Sequence, residues 1–139
     1  MRKYIGEYLV EKGFITSDQL KEALREQPNT GERVGAVLVR KGYISEENLV
    51  LALSEQLDIP FVDLKNYDIK PPILEFIPVG IAQRYQAIPL YRVIDTLTIA
   101  MADPLDVAVV DELRRVSSLT IRPVFATPSD IKEAIIRYY

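Results

Sequence analysis

Residues 4–27 read YIGEYLVEKGFITSDQLKEALREQ, and residues 33–56 read RVGAVLVRKGYISEENLVLALSEQ. The two segments align without a gap at a spacing of 29 residues, and 11 of the 24 aligned positions are identical. A duplication of this length decides the architecture, because each copy forms one structural unit that buries its apolar face against its neighbour. Two equivalent copies also suit a ligand or a partner with two equivalent halves.

Each copy is expected to form a short helix, a turn and a second helix. The first helix ends at a Lys-Gly pair, because glycine readily takes the left-handed conformation that ends a helix and a cation suits the last turn. The lysine is expected to face solvent. Thr16 begins the second helix of copy one in a capping box with Gln19, and Ser45 caps its counterpart in copy two. Residues 28–32, PNTGE, are expected to be a turn between the copies.

The composition changes after Gln56, and residues 59–139 are expected to form a small α/β sandwich of order ββαβα. The elements predicted for this half are an extended edge segment at 59–64, a helix at 71–86, a hairpin at 87–102, a helix that Asp103-Pro104 begins and that buries Val107, a strand at 120–125, and a helix after Thr127. The predicted fold is therefore α+β, with tandem helical hairpins (1–58) packed on an α/β subdomain (59–139).

The composition excludes several classes of function. The 139 residues contain neither cysteine nor histidine, so thiolate metal sites and the commonest general base are excluded. No G-x-x-x-x-G-K-[ST] phosphate loop occurs, and no enzymatic activity, catalytic residue or metal site is expected. A net charge of −3 gives no electrostatic footprint for nucleic acid. No apolar run is long enough to cross a bilayer and no signal peptide is visible, so a cytoplasmic chain without membrane insertion is expected.

Gly6 and Gly35 occupy the same position in the two copies, inside a predicted helix. Glycine costs roughly 1 kcal/mol relative to alanine in a helix, so its repetition indicates that something approaches the backbone closely. One interpretation is a contact between helices within the domain. The other is a ligand that lies over the start of the helix.

Polar side chains accompany the apolar stripe of the second helices. In copy one Leu20, Ala23, Leu24 and Gln27 share one face at positions i, i+3, i+4 and i+7, and the leucines and alanine are expected to be buried. Gln27 and its counterpart Gln56 either cap a helix end or read the polar edge of a base. Arg33 is either a solvated arginine or a planar donor for guanine O6/N7 or phosphate.

These residues resemble a known pattern, R-L-G-x-x-L-V-x-x-G-L-I-x-x-x-x-L-x-x-A-L-x-x-Q, written twice with a five-residue spacer. The pattern is similar to the N-terminal domain of type II secretion and type IV pilus assembly ATPases, and its tandem form to the MshEN domain, a cyclic di-GMP receptor. The segments 59–64, 77–78, 87–90 and 100–104 also look like signatures of this family. Tyr4 departs from the pattern, because it stands where copy one should carry the motif arginine.

The resemblance implies a regulatory, non-enzymatic domain that couples cyclic di-GMP to an ATPase motor. The residues that it implies for ligand binding are Tyr4, Ile5, Gly6, Leu9, Leu20, Leu24, Gln27, Arg33, Val34, Gly35, Leu38, Leu49, Leu53, Gln56 and Asp103. Leucines, isoleucine and valine would pack on the ligand, while the glutamines and Arg33 would supply polar contacts. The alternative is a protein-docking module that attaches the ATPase to its inner-membrane platform protein without nucleotide. Tyr4 favours this alternative, since a strict receptor should keep both arginines.

Overall fold

A computed structural model describes residues 4–139, which form two compact units that divide between Asp58 and Ile59. The first unit contains four helices, α1 (Ile5–Glu11), α2 (Ser17–Thr30), α3 (Val34–Arg40) and α4 (Glu46–Leu57). Each copy of the repeat therefore supplies one seven-residue helix and one longer helix. This confirms the helix-turn-helix prediction for both copies.

Local hydrogen bonds fix the starts of the two longer helices. The Thr16 hydroxyl accepts from the Gln19 backbone N–H at 3.1 Å, and the Gln19 side chain accepts from the Thr16 N–H at 2.9 Å. Ser45 caps α4 by accepting from the backbone N–H of Asn48 at 3.0 Å. The predicted caps are confirmed, and each satisfies backbone donors that would lack a partner inside the helix.

The connector between the copies is shorter than the sequence suggested. Residues 28–30 belong to α2, with Pro28 inside the helix, so the predicted five-residue turn is wrong. Gly31 ends the helix instead, because it adopts φ 71° and donates its N–H to the Gln27 carbonyl. A proline near a helix end forgoes one intrahelical hydrogen bond, whereas a glycine in the left-handed conformation is a common end of a helix.

The helices of the first unit pair across the two copies. Helix α2 packs against α3, and α1 packs against α4. Their shared core contains three aligned pairs, Leu9/Leu38, Ile15/Ile44 and Ala23/Ala52, together with Val37. Burying these side chains against one another is the main stabilising contribution to a unit made of short helices.

The second unit contains a three-stranded sheet with helices α5 (Val79–Tyr85), α6 (Val107–Ser117) and α7 (Pro128–Tyr138). Strands β1 (Ala87–Val93) and β2 (Thr96–Met101) form the predicted antiparallel hairpin, and β3 (Thr120–Phe125) lies parallel to β2. The order ββαβα and the α+β class are confirmed. The 59–64 segment adds a single bridge from Phe61 to Phe125 at the edge of β3.

Three predictions for this unit are wrong. Residues 71–76 form a 3₁₀ segment that ends before Pro78, which disfavours helical backbone at Ile77, and α5 begins only afterwards. Asp103 does not cap a helix, because residues 103–106 form a turn and Asp106 accepts from the Val109 N–H to cap α6. Consequently Val107 starts the helix and is 70% exposed rather than buried.

Tyr138 joins distant parts of the second unit. Its hydroxyl donates to the Tyr67 carbonyl at 3.1 Å and accepts from the Ile69 N–H at 3.3 Å. The neighbouring Tyr139 donates to the Ile77 carbonyl at 2.7 Å, and burial raises the pKa of this phenol to about 12. Among residues 4–139 no helix has both the length and the apolar character needed to cross a membrane.

Candidate functional site

Tyr4 and Arg33 hold the same structural position in the two copies. Each residue precedes a seven-residue helix, with φ −62° and ψ 148° at Tyr4 and φ −68° and ψ 149° at Arg33. Both side chains are exposed, and Tyr4 is 84% accessible. The repeat therefore presents a phenol and a guanidinium from backbones of nearly the same conformation.

The two glycines are in close contact with leucines of the longer helices. A Cβ atom on Gly6 would lie 2.5 Å from Leu20 Cδ1, and one on Gly35 would lie 3.0 Å from Leu49 Cδ2. Both glycines are buried. In the structure each glycine makes a contact between helices, because a leucine side chain occupies the space that a Cβ would fill.

The apolar residues assigned to the ligand differ widely in exposure. Leu9 and Leu38 are 0% exposed and present no surface to a ligand in this structure. Both lie on the faces of α1 and α3 that pack into the core of the first unit. Leu24, which was expected to be buried, is 46% exposed. The half-buried members, which do present surface, are Ile5, Leu20, Val34, Leu49 and Leu53.

The glutamines lie in the last turns of the longer helices. Gln27 and Gln56 are both half-buried. Asp103 belongs to the second unit and is half-buried. It lines an open cavity of about 370 Å³ together with Arg84, Gln86 and Asp106.

A charged cluster that sequence reasoning missed links α2 to α3. The Lys41 ammonium lies 2.8 Å from Glu26 Oε2 and 3.0 Å from Glu22 Oε1, and its side chain is only 20% exposed. The expectation that this lysine faces solvent is wrong. The Tyr43 hydroxyl donates to Glu22 at 2.5 Å, and Arg40 pairs with Glu32 at 3.1 Å.

The hydrogen bonds of this cluster shift the pKa values of its members. Hydrogen bonds to Glu26 and Glu22 raise the pKa of Lys41. Hydrogen bonds from Tyr43 and then Lys41 lower the pKa of Glu22, and the Glu22 carboxylate raises the pKa of Tyr43. Each shift favours the charge state that makes the contact.

The same contact occurs once more in the unit, with the copies exchanged. Lys12 of copy one lies 3.6 Å from Glu55 of copy two, whereas Lys41 of copy two lies 2.8 Å from Glu26 of copy one. Lys12 aligns with Lys41, and Glu26 aligns with Glu55. The sequence contains a signal for this contact, because the lysine and the glutamate are each identical in the two copies. Reciprocal contacts of this kind mark a two-fold relation between equivalent units.

The described residues give no sign of a metal centre. Between residues 4 and 139 no group of three or more carboxylate, histidine or cysteine ligands is positioned to hold an ion.

The comparisons with known proteins agree with the fold. The family model described as the MshEN domain matches residues 57–139. The type IV pilus assembly ATPase PilB of Myxococcus xanthus is 37% identical over 135 residues, which is 97% of this chain and 24% of that protein. PilB of Thermus thermophilus is 27% identical over 139 residues, 99% of this chain and 16% of that protein. The chain thus spans a quarter or less of these relatives.

Two solved structures are also similar. A structure of MshE with cdg superposes with a TM-score of 0.87 at 34% identity, and it covers 99% of this chain and 100% of that one. A structure of the N-terminal domain of XpsE superposes with a TM-score of 0.79 at 24% identity, with 100% and 99% coverage. The second likeness concerns the fold alone.

Proposed function

The chain belongs to the MshEN domain family, and we propose that it is a cyclic di-GMP-binding regulatory domain of a type IV pilus or type II secretion assembly ATPase. The similarity to PilB of two bacteria supports the ATPase system. The similarity to MshE with cdg, which we take to be cyclic di-GMP, supports the ligand. In this proposal the domain itself carries out no catalysis and acts on the ATPase motor through ligand binding.

The observation that carries the proposal is the two-fold relation within the helical unit. Lys12–Glu55 and Lys41–Glu26 are one ion pair made twice with the copies exchanged, and Gly6–Leu20 and Gly35–Leu49 are one apolar contact made twice. Cyclic di-GMP also consists of two identical halves, so a surface with this symmetry offers equivalent positions to the two halves.

The exposed and half-buried residues have roles that follow from their chemistry. Arg33 would donate its planar fork to guanine O6 and N7 or to a phosphate, and Gln27 and Gln56 would bond the edge of a base. The half-buried aliphatic side chains and Leu24 would cover the ligand's apolar surfaces. Gly6 and Gly35 would act indirectly, by letting Leu20 and Leu49 lie close to the short helices. Leu9 and Leu38 would support this surface from the core.

A second candidate is protein docking to the inner-membrane platform protein of the same machine. The observation in its favour is Tyr4, which replaces the motif arginine and is 84% exposed. An exposed aromatic side chain is typical of protein interfaces, whereas it cannot make the bidentate charged contact of an arginine.

Isothermal titration calorimetry with cyclic di-GMP tests the first candidate, with GTP and cyclic di-AMP as control ligands. We expect one ligand per chain and a dissociation constant in the low micromolar range or below, on the order of −8 kcal/mol or more favourable. Arg33→Ala should weaken binding about ten- to hundredfold, because one charge-assisted contact is lost. Arg114→Ala, which removes an arginine that pairs with Asp111 in the second unit, is the matched control.

Absence of both heat and thermal shift at about 100 µM ligand would rule out the receptor, since a useful messenger site binds more tightly than that. A membrane pull-down that then survives substitution of Gln27 and Gln56 by alanine would support the docking candidate.

A further inference from the structure

The two halves of the candidate site have nearly the same backbone conformation at Tyr4 and Arg33 but carry different side chains there. The φ angles of Tyr4 and Arg33 differ by 6° (68 − 62), and their ψ angles differ by 1° (149 − 148). The remaining aligned pairs of the site are identical or conservative, namely Ile5/Val34, Gly6/Gly35, Leu9/Leu38, Leu20/Leu49, Leu24/Leu53 and Gln27/Gln56. Among the aligned residues of the repeat, the chemical difference between the half-sites is therefore concentrated at the position of Tyr4 and Arg33.

The two side chains read bases differently. An arginine fork pairs bidentately with the O6 and N7 acceptors of guanine, but adenine presents an amino donor where guanine presents O6. A tyrosine ring stacks on any base, because every base has a π face. The glutamines do not restore the discrimination, since an amide is the side chain that pairs with adenine N6 and N7.

Resting on the proposed function, we propose that the half-sites have different base specificity: the Arg33 half requires guanine, and the Tyr4 half accepts either purine. The ligand class of this chain then includes the hybrid cyclic dinucleotide that joins one GMP to one AMP, beside cyclic di-GMP. Cyclic di-AMP is discriminated against, because it must place an adenine against Arg33.

Calorimetric titration of the same protein with 3′,3′-linked cyclic di-GMP, cyclic GMP-AMP and cyclic di-AMP tests this inference. We expect the hybrid to bind within about fivefold of cyclic di-GMP, and cyclic di-AMP to bind about ten- to hundredfold more weakly. In Tyr4→Arg the hybrid should fall about ten- to hundredfold behind cyclic di-GMP, because both halves then read guanine. Tyr4→Phe keeps the ring and should keep the wild-type order. Tyr4 is 84% exposed, so neither substitution disturbs the core.

The possible results separate the inference from the proposed function. Tight binding of cyclic di-GMP with the hybrid more than about fivefold weaker would overturn the inference and leave the receptor intact, because both halves would then select guanine. Equal binding of all three ligands would also overturn it, since Arg33 would then contact phosphate. Failure of all three to bind would overturn both.

Discussion

The two surfaces where the repeats meet are formed by equivalent helices but differ in their chemistry. We call the contact of α2 with α3 the polar seam and the contact of α1 with α4 the apolar seam. In the polar seam Lys41 lies between two glutamates and Tyr43 donates to Glu22. In the apolar seam the Lys12–Glu55 pair has the equivalent position, at 3.6 Å and with side chains 45% and 63% exposed.

The aligned residues explain the difference between the seams. Glu22 aligns with Leu51 and Tyr43 aligns with Phe14, so a hydrogen-bonded pair in one seam corresponds to two apolar residues in the other. The core leucines and the glycines are unchanged between the copies. The comparison teaches that buried packing fixes the relation between the copies, whereas the polar residues at its edge vary without altering it.

Truncation of the core tests the claim that packing is equivalent in the two copies, and it has the largest expected effect. Leu9→Ala and Leu38→Ala each remove a fully buried side chain from the same cluster. Each should lower the free energy of unfolding by about 2–5 kcal/mol, and the two values should agree within about 1 kcal/mol. Urea denaturation followed by circular dichroism measures both. Costs that differ by more than about 1 kcal/mol would contradict the equivalence of the copies.

Gly6→Ala and Gly35→Ala compare the two glycine–leucine contacts, and we expect an intermediate effect on the free energy of unfolding. Alanine gains roughly 1 kcal/mol in helix propensity, whereas overpacking costs about 1–3 kcal/mol. The closer contact, 2.5 Å to Leu20, should make Gly6→Ala destabilising, while the 3.0 Å contact to Leu49 should leave Gly35→Ala near neutral.

Chemical denaturation of the two glycine variants decides their order. In a Leu20→Ala background the methyl group meets no δ-carbon, so Gly6→Ala should there become neutral or stabilising. If Gly6→Ala destabilises the Leu20→Ala protein as much as the wild type, the glycine–leucine contact does not explain the glycine.

Tyr43→Phe gives the polar seam the residue that the apolar seam has at the aligned position, Phe14. We expect this variant to have the smallest effect on stability. The variant should lower the melting temperature at neutral pH, because Glu22 loses the hydrogen bond that contributes most to its lowered pKa. A carboxylate with a lowered folded pKa stabilises the protein above its unfolded pKa, which is ordinarily 4.5 for glutamate, and this contribution is lost as the pH falls through the folded value. The difference from wild type should therefore shrink below about pH 4.5.

Melting curves from pH 3 to 8 measure this effect, with Phe14→Tyr and Lys12→Ala as controls in the apolar seam. Neither control should introduce an acid-dependent difference, because Leu51 replaces Glu22 there and the Lys12 pair is solvent-exposed. A difference between Tyr43→Phe and wild type that is constant with pH would show that the phenol acts through packing alone.

The parts of the fold that the sequence predicted are those set by local chemistry. Thr16, Ser45 and Thr127 are caps whose hydroxyl accepts from a backbone N–H three residues later, and each was found from residue type and spacing alone. The hairpin and β3 were found because apolar runs alternate with turn residues. The repeat itself predicted four helices, since each copy confirms the reading of the other.

The errors occurred where neighbouring alternatives compete or where contacts are long-range. Asp103-Pro104 and Asp106 offer two helix starts three residues apart, and only the turn at Asp103 decides between them. The stretch that begins at Pro28 predicted a turn, whereas Gly31 is the residue that ends α2. For the candidate site, the sequence supplied the aligned positions, but it could not reveal that Leu38 is covered or that Lys41 is held between glutamates. Those facts depend on how the copies pack.

The bonds of Tyr138 set an order of assembly during protein synthesis. Its hydroxyl reaches partners 69 and 71 residues earlier in the chain, whereas the last of the reciprocal ion pairs in the helical unit is complete at Glu55. A ribosome adds the 83 residues between them (138 − 55) in roughly 4–17 s at about 5–20 residues per second. The helical unit therefore emerges with both of its reciprocal ion pairs complete while the sheet unit still lacks its last helix. During synthesis the first unit is therefore complete several seconds before the second unit, which until then lacks α7.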